Sequence, residues 1–149
     1  MRKALSTLAA LLSLTSATTA DAEGISLRCE MQPSKVSTGS AKLDKEMNER
    51  PKPRVTRYYV IDDEARNIWL VLDGQRKPLC MTDGQCNVIY TASRVLVISS
   101  SKGSSLRFRL DRISGSLDET FTASMEDGPT INFYNSGDCV PESNLSPKF

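Results

Sequence analysis

The stretch Ser105–Ala123, SLRFRLDRISGSLDETFTA, decides the fold class of this 149-residue chain. Its first run places Leu106, Phe108 and Leu110 on one face and charged residues on the other, which is the period-two pattern of a strand with one buried side. The same alternation resumes at Leu117. Two such runs joined by a short connection predict a β-hairpin.

The connection between the two runs has the composition of a tight turn. Arg112-Ile113-Ser114-Gly115 suits a type I turn closed by a left-handed residue, which glycine tolerates because it has no Cβ. Asp111 stands immediately before the turn, where its carboxylate can accept hydrogen bonds from the turn amides. The turn itself is therefore expected to set the register of the hairpin.

Short runs rich in β-branched and aromatic residues recur along the rest of the chain, separated by turn pairs such as Asp73-Gly74 and Lys102-Gly103. Besides the hairpin, the predicted strands are residues 25–31, 54–62, 67–73, 87–92, 94–100 and 130–135. Short connections favour antiparallel neighbours. We therefore predict a single all-β domain of about eight strands, an antiparallel meander that closes into a barrel or a sandwich.

The N-terminus predicts export. Residues 1–22 open with two basic residues, continue through an apolar stretch and end on Ala20-Asp21-Ala22, the three parts of a secretory signal peptide. We therefore expect a periplasmic or secreted protein whose domain occupies residues 23–149. No later stretch is apolar over the roughly 18 residues that a spanning helix needs, so no membrane span is expected.

Four cysteines in an exported chain predict two disulfides, for which three pairings are possible. We predict Cys80–Cys86, because Thr82-Asp83-Gly84 would form a three-residue hairpin loop that sets these two residues opposite each other. Cys29 then pairs with Cys139 and is expected to tie the closing edge of the sheet.

The polar segment Gln32–Pro53 departs from the pattern around it. It is bracketed by prolines and holds at most one or two weak helical turns at Ala41–Glu49, which predicts a surface helix or disorder. A connection of this length is either a solvated insertion or a functional loop. We expect that replacing Ser34–Lys52 with a short linker would leave the fold nearly unchanged.

Charge and composition exclude several functions. The chain has 19 basic and 18 acidic residues and no histidine, and loss of the leader makes the two counts equal. A nucleic-acid partner is not expected, because backbone phosphates select proteins with a basic excess. Without histidine, the commonest general base and metal ligand is missing. We predict no catalytic, cofactor-binding or metal-binding residue and no cofactor, and therefore no enzyme.

With the cysteines in disulfides, serine with lysine or paired carboxylates remain as catalytic alternatives, and a glycosidase needs two carboxylates at a suitable separation. Candidates stand at Asp62, Asp63, Asp118 and Glu119. Each lies where a turn or strand end is predicted, and acidic residues are common in such places. A carboxylate-based hydrolase is therefore the least favoured class of function.

Three aromatic residues are candidate partner contacts. In residues 67–73, Trp69 points away from the face of Ile68 and Leu70, so one set can line the core and the other can form an outer patch. Tyr58 and Tyr59 likewise point to opposite faces. We place the expected contact surface on the polar segment 32–53 together with Tyr58 or Tyr59, with the outward face around Trp69 as the alternative.

The turn sequence also carries a resemblance. Leu110–Leu117, LDRISGSL, resembles a phrase of the form apolar-[Asp/Asn]-Arg-x-[Ser/Thr]-Gly in small exported proteins of Gram-negative bacteria without an assigned function. The overall plan is also similar to periplasmic lysozyme inhibitors, which are small disulfide-tied β-barrels. Their Ser-Gly-x-x-Tyr loop motif is not reproduced at Ser114-Gly115 or Ser136-Gly137.

These observations favour a small exported binding protein or inhibitor of the cell envelope. Its partner would be a protein or another envelope component. A structural envelope component is the alternative. The oligomeric state is left open by the sequence.

Overall fold

The computed structural model describes residues 24–126 and 128–143, which form one antiparallel sheet and one helix. The strands are β1 (Ile25–Ser37), β2 (Val55–Asp62), β3 (Asn67–Leu72), β4 (Gln75–Pro78), β5 (Gln85–Tyr90), β6 (Arg94–Ser101), β7 (Ser104–Asp111), β8 (Ser116–Ser124) and β9 (Thr130–Pro141). The helix α1 (Ala41–Glu49) connects β1 to β2. The predicted signal peptide, residues 1–22, lies outside the described residues.

The sheet consists of two meanders joined at one long-range pairing. Its strand order is β4-β3-β2-β1-β9-β8-β7-β6-β5, so every neighbouring pair except β1 and β9 is consecutive in the sequence. The β1–β9 register extends from Leu27 opposite Pro141 to Ser37 opposite Asn132, with a bulge between Pro33 and Lys35. This pairing therefore holds the two halves of the domain together.

The predicted hairpin is confirmed as β7 and β8, with Leu110 opposite Leu117. The carboxylate of Asp111 accepts hydrogen bonds from the amides of Ile113 and Ser114, both at 2.9 Å, and Gly115 closes the turn with φ 78°. The amides of Ser114 and Ile113 lower the pKa of Asp111, because they stabilise its charged form. The sequence of the turn thus determines its geometry.

The sheet curls around its concave face into a half-barrel. Alternate residues of all the longer strands point into this face, and the rings of Tyr59 and Phe108 meet there with centroids 5.1 Å apart. The buried core residues are Leu27, Cys29, Met31, Tyr59, Ile61, Ile68, Leu79, Val95, Val97, Phe108, Leu110, Leu117 and Cys139. The prediction of an all-β antiparallel fold is confirmed. The predicted closed barrel or sandwich is not confirmed, because the sheet forms a half-barrel.

The strand count and one strand boundary differ from the prediction. The sheet has nine strands rather than about eight, because β4, with the sequence QRKP, carries no apolar alternation to reveal it. β1 continues six residues beyond Met31, although these residues are mostly polar. Both segments are strands because they pair with a neighbour, which is a tertiary effect rather than a local preference.

The predicted insertion at residues 32–53 is therefore shorter than expected. Its first part pairs with β9, and Val36 and Thr38 are buried. Asn48 of α1 bonds both backbone groups of Val36, at 2.8 and 2.7 Å, and Asp44 accepts from the amide and hydroxyl of Thr38. Replacement of Ser34–Lys52 is therefore expected to destabilise the fold, because it would remove three of the ten β1–β9 residue pairs and the buried Val36 and Thr38.

The structure contains both predicted disulfides, but their positions in the sheet are exchanged. Cys29 and Cys139 face each other across the central β1–β9 pairing, not at an edge. Cys80 follows β4 and Cys86 lies in β5, the two edge strands, so residues 82–84 are not the predicted hairpin loop. The edges come close because the sheet curls, and the Cys80–Cys86 bridge joins them.

A second contact joins the two meanders nearby. The hydroxyl of Tyr90 on β5 donates a 2.9 Å hydrogen bond to the carbonyl oxygen of Asn67 on β3. Burial, and then the negative charge of Asp63, raise the pKa of Tyr90 to about 12.

In the described part of the chain, no helix has both the length and the apolar character needed to cross a membrane.

Gly115→Ala is expected to destabilise the domain more than Gly74→Ala. Both glycines have positive φ, at 78° and 75°, so each substitution carries the strain of a left-handed residue, about 1–3 kcal/mol. An added Cβ at Gly115 would also collide with the carbonyl oxygen of Cys139, whereas at Gly74 it meets nothing within 4 Å. Chemical denaturation of both variants measures the difference, and equal losses would contradict the close approach of the turn to β9.

The contact of Tyr90 with Asn67 is expected to weaken at alkaline pH. Because the folded pKa is raised from 10.0 to about 12, the stability contributed by the protonated phenol is fully present below about pH 10. It is lost as the pH rises through about 12. Between about pH 9 and 11.5, the free energy of unfolding should therefore fall less for Tyr90→Phe than for the parent protein. Urea denaturation at the two pH values measures both changes. An equal or larger loss in the variant would contradict this assignment.

Candidate functional site

A charged cluster lies inside the concave core. Glu119 of β8 is 6 % exposed and pairs in register with Phe108 on β7. Its carboxylate forms an ion pair with Arg57 and accepts hydrogen bonds from the Tyr59 hydroxyl and the Asn135 amide, both at 3.1 Å. These four polar side chains, Arg57, Tyr59, Glu119 and Asn135, are named the Glu119 cluster.

The electrostatics of the Glu119 cluster favour one fixed protonation state. Burial and the charge of Glu119 raise the pKa of Tyr59 well above its ordinary value, so the phenol stays a neutral donor. Burial alone would lower the pKa of Arg57, but the adjacent carboxylate outweighs burial and raises it. Both oxygens of Glu119 are already bound. The cluster is thus arranged as a structural ion pair.

The other candidate carboxylates are also engaged in local contacts. Asp62 accepts a 2.8 Å hydrogen bond from the amide of Ala65, Asp63 accepts from Arg112 at 2.6 Å, and Asp118 pairs with Arg109. Asp118 and Glu119 are neighbours on β8 and therefore point to opposite faces of the sheet. Asp118 and Glu119 both border one depression on the convex face, but the Glu119 carboxylate is engaged by Arg57 and Tyr59 on the other side of the sheet. Within residues 24–126 and 128–143, no cluster of acidic and cysteine side chains could hold a metal ion.

The three predicted contact residues occupy different environments. Tyr59 is fully buried in the core, so it cannot contact a partner. Tyr58 and Trp69 are half-buried on the convex face, as the alternation of β2 and β3 predicts. Arg76 of β4 stands over the Trp69 ring, 5.9 Å from its centroid, and is directly opposite Val71. These residues, Tyr58, Trp69, Val71 and Arg76, form the Trp69 patch.

The helix of the polar segment lies away from Tyr58. Tyr58 pairs with Arg28 near the start of β1, whereas α1 is bound to Val36 near its end. At about 3.3 Å per residue, these points are roughly 25 Å apart along the strand. The helix therefore lies away from Tyr58, and Tyr59 is buried, whereas Gln32 at the start of the segment lies on the same face of β1 as Arg28; a joint surface of residues 32–53 with Tyr58 stays a prediction.

Arg112 links three turns at one end of the half-barrel. Its guanidinium donates to Asp63 between β2 and β3 at 2.6 Å and to the carbonyl oxygen of Thr91 after β5 at 3.4 Å. Beneath it lies an apolar cavity of about 200 Å³, lined mainly by Ile25, Leu27, Ile61, Leu110 and Pro141. This cavity is smaller than the 300 Å³ or more of ordinary ligand pockets.

A larger and more polar depression lies on the convex face of β7, β8, β9 and β1. It has a volume of about 390 Å³ and is named the convex groove. Its lining residues are Ser34, Arg107, Arg109, Asp118, Glu119, Thr120, Tyr134, Asn135 and Ser136. Most of these side chains point outward from neighbouring strands, and Ser34 lies at the bulge of β1.

Sequence reasoning missed the convex groove although part of its signal is visible. The outward positions of Arg107 and Arg109 follow directly from the alternation of β7. Their position beside Tyr134 and Ser34 depends on the β8–β9 and β9–β1 registers, which no local pattern reveals. When the register is unknown, outward polar residues cannot be told from an ordinary solvent-exposed face of a sheet.

No protein-family model matches this chain, and no curated protein or solved structure matches it either. What the protein does must therefore be inferred from its own surfaces.

Glu119→Ala is expected to lower the free energy of unfolding by about 3 kcal/mol. This is the lower end of the range for removing one partner of a buried ion pair, because the Arg57 side chain keeps 29 % exposure and can be partly hydrated. Asp118→Ala, one residue away on the opposite face, is the matched control and should cost less than about 1 kcal/mol, as exposed pairs do. Urea denaturation of the two variants decides this, and a control loss as large as the Glu119 loss would contradict the structural role.

Proposed function

We propose that this protein is a small periplasmic or secreted, non-catalytic binding module that contacts a protein partner through the Trp69 patch. The observation that carries the proposal is that Trp69, Tyr58 and Arg76 share one outward surface on a sheet tied by two disulfides. Tryptophan, tyrosine and arginine are the residues most enriched in binding hot spots. An inhibitor of an envelope enzyme would be one form of such a module.

The packing beneath the patch supports this role. Val60, which lies opposite Trp69 on β2, is 1 % exposed although it points away from the core. Ile68 and Leu70 of the same strand as Trp69 pack into the concave face instead. The aromatic side chains therefore rest on a fixed base and lose little conformational freedom on binding.

The positive charge of the Trp69 patch indicates which kind of partner would be complementary to it. Arg76 gives the patch a positive charge on the exposed edge strand β4, whereas Lys77 of the same strand points to the other face of the sheet. A partner with an apolar centre and acidic residues at its rim would be complementary to this surface, and its association would weaken with salt. The disulfides and the predicted leader support an oxidising, exported location.

The hydrogen bonds and ion pairs that the candidate carboxylates form with neighbouring residues support a non-catalytic module over a hydrolase. Asp62, Asp63, Asp118 and Glu119 each have local partners, and a general acid or base must instead be free to reach a substrate proton. Turnover abolished by a conservative change at one of these four residues would favour the hydrolase.

Trp69→Ala and Arg76→Ala are each expected to weaken partner binding at least tenfold without lowering the melting temperature substantially. The experiment immobilises residues 23–149 and passes exported proteins of the source organism over the parent and each variant. The matched control combines Ile98→Ala with Arg94→Ala, an apolar and an arginine side chain on the exposed surface of β6. A one-to-one partner held by the parent and the control but lost by the Trp69 and Arg76 variants is the expected result.

Two results would contradict the proposal. Equal retention of the partner by all variants would place the contact elsewhere. Co-sedimentation with peptidoglycan or outer membrane, unchanged by Trp69→Ala, would favour the structural envelope role.

A further inference from the structure

We infer that the convex groove binds a linear acidic saccharide, at a site separate from the Trp69 patch. The inference rests on the order of side chains across β7, β8, β9 and β1. Opposite one another in register are Arg107, Thr120, Tyr134 and Lys35, so two cations flank a hydroxyl and an aromatic ring. Neighbouring strands lie about 4.8 Å apart, which places the two cationic positions roughly 14 Å from each other.

The sheet backbone cannot supply recognition at this place. β7, β8 and β9 have a paired neighbour on both sides, and beyond Met31 the outer side of β1 is covered by side chains of Asn48 and Lys52, which bond the backbone of Val36 and Ser34. An extended peptide therefore cannot bind here by adding a strand. Recognition has to come from outward side chains, which suits a ligand that carries its own hydroxyl and carboxylate groups.

The mixture of charges distinguishes a sugar acid from other anions. Arg107 is exposed and forms no ion pair within residues 24–126 and 128–143, so its guanidinium is available to a carboxylate. Asp118 lies on the next row, and both contacts from Arg109 go to the same oxygen, Oδ2. Its other oxygen can accept a hydrogen bond from a sugar hydroxyl. Asp118 repels negative charge at its own position, so a chain that presents a hydroxyl there and a carboxylate at Arg107 fits better than a ligand that is charged at every unit.

The aromatic ring and the bulge complete the site. Tyr134 is 36 % exposed in the middle of the groove, where its ring can stack on the apolar face of a sugar. The hydroxyl of Ser34 donates a 3.0 Å hydrogen bond to the carbonyl oxygen of Tyr134, across the bulge of β1. Bulges bend a strand and redirect its side chains, and they are frequent beside functional sites. Here the bulge fixes the strand segment that presents Tyr134.

The test measures binding of defined oligosaccharides to residues 23–149 by isothermal titration calorimetry. The probes are tetragalacturonate and tetramannuronate, with maltotetraose as the neutral sugar and tetraglutamate as the anion without sugar rings. We expect at least one uronate tetramer to bind at least tenfold more tightly than maltotetraose and tetraglutamate.

Variants locate the site. Tyr134→Ala and Arg107→Gln should each weaken uronate binding at least tenfold, whereas Tyr134→Phe should retain it, because the ring rather than the hydroxyl contacts the sugar. Arg94→Gln removes an exposed arginine outside the row and is the matched control for charge. The three side chains are exposed, so the melting temperatures of all four variants should change little.

Three outcomes would overturn the inference. The first is that neither uronate binds at millimolar concentration. The second is that tetraglutamate binds as well as the uronates, which would indicate attraction by charge alone. The third is that Arg94→Gln weakens binding as much as Arg107→Gln, which would place the saccharide elsewhere. Loss of saccharide binding in Trp69→Ala would contradict the separation of the two sites.

Discussion

The pairing of β1 with β9 is the interaction on which the rest of the structure depends. Every other strand pair joins neighbours in sequence, so each meander could form its local hairpins alone, but only this pairing makes one sheet of them. The Cys29–Cys139 disulfide reinforces this pairing. It links residues 110 positions apart, which reduces the conformational entropy of the unfolded chain. The Glu119 cluster acts across the same junction, because Arg57 and Tyr59 belong to one meander and Glu119 to the other.

Local chemistry explains how far the sequence alone can predict this fold. The hairpin of β7 and β8 follows from alternation and from the Asp111–Gly115 turn. The disulfide pairing follows from the cysteine count and the closeness of Cys80 and Cys86 in the sequence, although the hairpin loop expected between them is not formed. The extension of β1, the short β4 and the adjacency of the two sheet edges do not follow, because each depends on a distant strand. The two disulfides were therefore paired correctly while their places in the sheet were exchanged: Cys29–Cys139 is central and Cys80–Cys86 joins the edges.

The candidate sites divide in the same way. Alternation predicts that Trp69 and Tyr58 lie outward, and this is what the structure shows. It also places Tyr59 inward, but it cannot tell that the phenol hydrogen-bonds a buried carboxylate. The convex groove is a property of four strands in register, so its residues are dispersed between Ser34 and Ser136 in the sequence. Surfaces made by one hairpin are visible in a sequence, whereas surfaces made across the β1–β9 junction are not.

The Cys80–Cys86 bridge has a consequence for solubility. The edge strand β4 carries Arg76, Lys77 and Pro78, residues that discourage another strand from pairing with it. The opposite edge, β5, has no charged residue and exposes Ile89. The Cys80–Cys86 bridge holds this uncharged edge strand next to the segment that follows β4. Reduction of the bridge would leave the hydrogen bonds from Tyr90 to Asn67 and from Met81 to Ser99 to hold this edge, so we expect the reduced protein to expose β5 more readily to intermolecular strand pairing.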